Sequence, residues 1–133
     1  MPVKKSAPRR NKHPPVSDQM KAWSAALAVE VADWPRATAR SFFGFNALYR
    51  GDNIFGMLPR TCSFGNGNLL AFRIDGVTER IKARLEKDPR IGSIDQNSTR
   101  WFTFELSSDT DLHVALDWLG AAYQAASKRP KSK

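Results

Sequence analysis

The sequence predicts an α+β fold, a small antiparallel sheet with helices on one face, in the order α-β-β-β-α-β-α. Three observations lead there. Apolar residues recur at three- and four-residue spacing in three segments, the period of an amphipathic helix. Other segments are aromatic-rich and alternate, the period of a half-buried strand. Glycine turns and prolines separate the two kinds, and strand runs between helices fit helices layered on one sheet.

The first helix is predicted from Ser17, a favourable N-cap, to about Asp33, with Met20, Trp23, Leu27, Val31 and Trp34 on its buried face. Pro35 ends it, because proline disfavours a helical residue before it. Residues 39–50 read as one aromatic strand, turned by Gly51, Asp52 and Asn53 into a second strand at 54–58, which Pro59 closes. After a loop around Gly65 and Gly67, residues 68–74 read as a third strand. Asp75 is placed to cap a second helix over about 77–87, with Val77, Ile81 and Leu85 in line and Pro89 beyond its end. Residues 90–99 read as loop, with room for a short strand. Residues 100–106 alternate, with Phe102, Phe104 and Leu106 to one side and Trp101, Thr103 and Glu105 to the other. The last helix is expected from Ser108, with Leu112, Ala115, Leu116, Leu119, Ala122, Tyr123 and Ala126 as its apolar stripe.

The chain has 133 residues, 41% of them hydrophobic, which suits one domain with a substantial core. No apolar run approaches the roughly 18 residues of a membrane span, so no membrane partner is expected. The positively charged N-terminus is followed by no apolar stretch, so a secretory signal is not expected either. Cys62 is the only cysteine, which excludes an intrachain disulfide and a thiolate zinc cage and fits a reducing, cytoplasmic compartment.

The net charge of +8 is unevenly placed. Residues 1–16 carry Lys4, Lys5, Arg9, Arg10 and Lys12 and no acid, and residues 128–133 add Lys128, Arg129, Lys131 and Lys133. The stretch between them, 17–127, is close to neutral and reads as the single folded domain. Four prolines and little apolar surface predict that residues 1–16 are disordered, and the tail after 127 reads the same way. Two roles suit these tails: sequence-independent contact with nucleic-acid phosphates, or solvation alone.

Catalytic chemistry finds little support. His13 lies in the N-terminal tail, and His113 stands four residues before Asp117, a spacing that favours a surface pair over a catalytic base. Arg60 stands near Cys62, an environment that can activate a thiol, but no histidine of the folded stretch is near it in sequence. No metal-ligand spacing occurs, and Gly65-x-Gly67 precedes a strand, not the helix a phosphate cradle needs. No cofactor is implied. Helices on one sheet face would leave Trp101 and Thr103, with Tyr49 or Arg73, on the other. Aromatics beside arginines there can stack bases, or can pack under a loop or in a dimer interface. Arg100 and Trp101 are the candidate functional surface of the domain.

Residues 40–55, with Phe43, Gly44, Tyr49, Gly51, Ile54 and Phe55, resemble the opening motif of the TfoX N-terminal domain. There a hydrophobic residue precedes two glycines, a tyrosine follows, and a glycine turn leads into an aromatic strand. Residues 97–106, with Asn97 before Trp101, and a helix carrying Trp118 and Tyr123, are similar to the end of YjbR (MmcQ-like) domains. That ending is also similar to a related small domain with a luciferase-like label, although no flavin or oxygen-handling site accompanies it here. The resemblance spans about residues 20–126 and implies a CyaY-like fold, usually bacterial, with no agreed catalytic residues. YjbR-like domains often carry a DNA-binding label, and TfoX is linked to competence regulation. The sequence departs from the pattern at Phe45, where a second glycine is expected. Together these readings point to a non-enzymatic cytoplasmic binding module with weak nonspecific nucleic-acid contact through its tails. The alternative is a protein-interaction or homodimerising domain.

Overall fold

A computed structural model describes residues 15–64, 67–93 and 100–127. Three helices and six strands follow in the order α1 (Asp18–Ala32), β1 (Ala37–Phe42), β2 (Phe45–Arg50), β3 (Asn53–Pro59), β4 (Leu69–Arg73), α2 (Glu79–Lys87), β5 (Ile91–Ser93), β6 (Trp101–Glu105), α3 (Asp111–Ala126). The strands form one sheet, ordered β1-β2-β3-β4-β6-β5, and every neighbouring pair is antiparallel. The α+β class and the antiparallel sheet agree with the sequence.

The strand count does not. Residues 39–50 are two strands, not one: Phe42 pairs with Phe45, and the chain reverses through Phe43 and Gly44 with φ of +47° and +88°. Positive φ at both central residues is the geometry of the tight hairpin turn, and glycine supplies it without strain at the second position. Strand-favouring phenylalanines run on through the turn, so composition alone does not mark it. The other strand outside the predicted order is β5, a three-residue edge strand paired with β6, in the stretch read as loop with room for a short strand.

Helices α1 and α2 start where a side chain satisfies a free amide, and α3 does not. Ser17 caps α1, its hydroxyl accepting from Met20 N–H at 3.0 Å, as expected. The cap of α2 is Thr78, accepting from Ile81 N–H, rather than Asp75. Nor does Ser108 cap α3: its hydroxyl pairs with Thr110, and the helix begins at Asp111. Asp111 reaches back instead, accepting from the backbone N–H groups of Ser107 and Ser108.

Helix-facing residues from the strands, among them Leu48, Phe55, Leu70, Phe72 and Phe104, pack with Met20, Leu27, Val31, Leu85, Trp118 and Leu119 of the helices in one core. Phe55 joins this core because the register shifts there. Ile54 pairs with Tyr49 and Gly56 with Leu48, so Phe55 is the extra residue of a bulge. Gly56 brings β3 against α3: a Cβ there would lie 2.9 Å from Leu119 Cδ2. Val16 is buried and its N–H bonds the Thr61 carbonyl, so the packed body begins before α1.

Candidate nucleic-acid interface

Strand pairing fixes which residues lie on the sheet face away from the helices. In register across it stand Arg40 and Ala47, Thr38 and Tyr49, Met57 and Ala71, Arg73 and Trp101, and Ala71 and Thr103. Trp101, Thr103, Tyr49 and Arg73 therefore share the second face, as the alternation predicts. That face is not an open platform throughout. Thr103 is buried, Trp101 is half-buried, and Phe45 is covered by a stacked Phe64 at 4.5 Å between centroids.

Arg100 comes together with Arg73 around one carboxylate, and Trp101 pairs in register with Arg73. Asp75 Oδ1 lies 3.2 Å from Arg73 Nε and 3.8 Å from Arg100 Nε, and the Arg100 side chain remains 61% exposed. An acid thus answers the cations at this point, which lowers its attraction for phosphate.

The opposite end of the sheet is different. The Phe43–Gly44 turn is held by three backbone N–H groups, of Arg60, Thr61 and Cys62, which all donate to the Gly44 carbonyl at 2.9–3.2 Å. Gly44 also lies against Cys62 so closely that a Cβ would stand 2.7 Å from its Sγ. Clamped in this way, the turn projects Phe43 with 84% of its surface exposed, and Phe42 with 45%, their rings edge-to-face at 4.8 Å. Arg40, two residues before Phe42 on the same face of β1, lies over the Tyr49 ring at 4.9 Å. Arg60 is exposed beside the clamp. No ion pair among the described residues involves Arg40 or Arg60.

Residue 15 fixes where the N-terminal arm joins the body. Pro15 forms a bridge with Cys62, so the chain enters the fold beside the clamped turn. The cations Lys4, Lys5, Arg9, Arg10 and Lys12 lie outside the described residues, as do His13, Gly65, Lys128 and Arg129. The C-terminal tail leaves elsewhere: Asn53, at the other end of β2 and β3, bonds the Ala126 carbonyl at 2.8 Å. The two arms therefore depart from opposite ends of the sheet, and only the N-terminal one starts at the aromatic turn.

The other candidates stay apart. Cys62 is half-buried between Pro15 and Gly44, and its packing role is evident. His113 and Asp117 are both exposed on α3, with no ion pair between them among the described residues. No group of three His, Cys, Asp or Glu among the described residues could hold a metal, and no described helix is long and apolar enough to cross a membrane.

The perturbed acids belong to a structural clamp. Arg90 Nη2 binds Asp88 at 2.8 Å and Nη1 binds Asp111 at 2.8 Å, while its guanidinium lies over Phe104. The hydrogen bond from Arg90 holds Asp88 below the usual carboxylate range, against a smaller opposing effect of burial. Asp111 is lowered first by the Ser107 N–H, with further help from Ser108 and Arg90 outweighing its own burial. Arg90 is raised in turn, chiefly by Asp88. Beside this corner, a cleft of about 670 Å³ lies between α2 and the β5–β6 edge, lined by Val77, Leu85, Ile91 and Phe102 with charged residues at its rim.

Sequence reasoning missed the Phe42–Phe43 turn. A signal was available: Gly44 interrupts an otherwise continuous strand pattern, and an isolated glycine there marks a turn or bulge. No family model, curated protein or solved structure matches this chain.

Proposed function

We propose that this chain is a non-enzymatic cytoplasmic binding module of the TfoX N-terminal or YjbR kind. It holds nucleic acid through Lys4, Lys5, Arg9, Arg10 and Lys12, with Lys128 and Arg129 as a second, weaker contact. The observation that carries this reading is the root of the N-terminal arm. Five cations without an acid enter the fold at Pro15, beside exposed Phe42, Phe43 and Arg60. The perturbed carboxylates Asp88 and Asp111 are taken up by a structural arginine, which favours binding over catalysis.

Magnitudes make the reading testable. Each phosphate neutralised adds a slope of about −0.9 to log K against log salt on duplex, so five contacts weaken binding roughly 10²–10³-fold between 50 and 200 mM salt. The measurement is fluorescence anisotropy with labelled duplex DNA across a salt series. The full chain is compared with a variant in which the five arm cations are glutamines. Loss of binding and of the salt slope in the variant supports the arm. Tail-independent binding points to the sheet face, at Arg100 and Trp101, instead. A shortened chain used for the same purpose should keep Pro15 and Val16, because Val16 is buried in the core.

One observation favours a second reading, a homodimer. β1 is an edge strand, exposed along most of its length, and Phe43 projects beyond its end. Light scattering that gives twice the chain mass, with Phe43→Ser restoring the monomer, would establish that reading.

A further inference from the structure

We propose that Phe43 is a stacking platform for an unpaired base, so that the nucleic acid this module prefers is single-stranded. The inference rests on the nucleic-acid reading above and adds to it the class of partner. A bulky residue in the left-handed region is an outlier, and at about 1–2 kcal/mol per residue the conformation is costly for an L side chain. The usual residues of such a turn are asparagine and glycine. Phe43 adopts φ +47° with 84% of its surface exposed, so packing within the chain does not offset that cost.

The turn is also fixed in place. The three amides on the Gly44 carbonyl and the close approach of Cys62 Sγ to Gly44 leave the ring presented outward on a held backbone. Charge at the clamp is positive. Of the five arginines between residues 34 and 74, Arg36 and Arg50 lie with the single acid, Asp52, at the far end of β2, and Arg73 is paired with Asp75, whereas Arg60 stands in the clamp itself. Arg60 forms no ion pair among the described residues, Arg40 lies farther along β1 over the Tyr49 ring, and the N-terminal arm joins the fold at Pro15, beside Cys62.

An exposed ring flanked by cations that track a phosphate backbone is the arrangement by which single strands are held. The ring stacks on a base while the charges hold the phosphates. A duplex offers only its phosphates, because its bases are already stacked on each other and must be pried apart to admit a ring. The arm therefore serves both kinds of strand, and Phe43 serves the single strand alone.

The test uses the full chain with labelled oligothymidylate and a labelled duplex at one salt concentration. Phe43→Gly removes the ring and suits the positive φ, so its melting temperature should equal or exceed the parent's. It should weaken oligothymidylate binding roughly 5- to 100-fold and leave duplex binding unchanged. Phe43→Trp should keep the single-strand affinity, and its added indole fluorescence should be quenched on binding. Equal loss on both nucleic acids, or no loss on either, overturns the proposal. So does a dimer dissociated by Phe43→Gly with oligothymidylate affinity intact. The arm-neutralised variant separates the two claims. If it binds both nucleic acids as the parent does while Phe43→Gly still loses only the single strand, the arm reading fails and this one stands. If the parent binds neither, both fail.

Discussion

At the corner where α2, β5 and α3 meet, Arg90 lies over Phe104 and is held by Asp88 and Asp111. At the β1–β2 turn, Phe42 and Phe43 project beside Arg60, which is paired with no carboxylate among the described residues, and Arg40, farther along β1, lies over the Tyr49 ring. Both regions combine arginine with aromatic rings. The first closes the combination on itself: the ring is fully buried, each charge has a partner, and the three elements are pinned together. The second leaves apolar area and positive charge facing outward on a backbone that is nevertheless held. Groups that satisfy one another contribute stability, whereas groups left unsatisfied on a rigid support are available to a partner.

Substitutions in the two regions should act on stability and on binding to different extents. The largest stability effect is expected from Phe104→Ala, which empties a fully buried site and should cost about 3–5 kcal/mol in denaturant unfolding. Phe43→Gly at the other region should stay within about 1 kcal/mol of the parent, on the stable side. Comparable losses at both would mean that Phe43 is a core residue of an assembly and not a free ring. Gly44→Ala should follow at about 2–4 kcal/mol, since the new Cβ combines a positive φ with a clash against Cys62. Its loss of single-strand binding should exceed its loss of duplex binding, because the clamp aims the ring.

Arg90→Gln comes next, at about 1–2 kcal/mol near neutral pH, from lost charged hydrogen bonds. Its pH dependence has a definite sign. Asp88 and Asp111 hold their protons less tightly in the folded chain than in the unfolded one. Their contribution is therefore complete above the unfolded value of about 3.9 and disappears as pH falls through the lower folded values. Thermal unfolding between neutral pH and the acid limb should show the parent losing more stability than Arg90→Gln. A parallel course of the two curves would remove Arg90 from the clamp. The smallest stability effect belongs to Arg40→Gln with Arg60→Gln, within about 0.5 kcal/mol for exposed sites. The same pair should reduce the salt slope of nucleic-acid binding, which sharpens the contrast with Arg90.

Much of the fold was legible in the residues. The spacing of Met20, Trp23, Leu27 and Val31 marked α1 and its buried face, and Ser17 marked its start. Gly51 and Asp52 marked the β2–β3 turn, which the structure closes between Arg50 and Asn53. The separation of 39–50 into two strands was signalled by Gly44 alone, because strand-favouring phenylalanines at 42, 43 and 45 run on through the turn. The starts of α2 and α3 were misplaced for a related reason. Asp75, Thr78, Ser108 and Thr110 are all capable caps, and their sequence order does not say which one the tertiary contacts occupy. At the candidate site, Arg100 and Trp101 were legible as neighbours on one strand. Asp75, which offsets the charge there, came from a different element and could not be paired with them from sequence.

The fold class, the amphipathic faces of the helices and the confinement of net positive charge to the two ends follow from periodicity and composition, which are local properties of the chain. The clamping of Gly44 by the amides of residues 60–62, the bridge of Pro15 to Cys62 beside that clamp, and the exclusion of Phe43 from the core arise only once the chain is folded. Those features depend on which distant backbone groups meet, and a phenylalanine carries no mark of whether its ring ends in a core or in water.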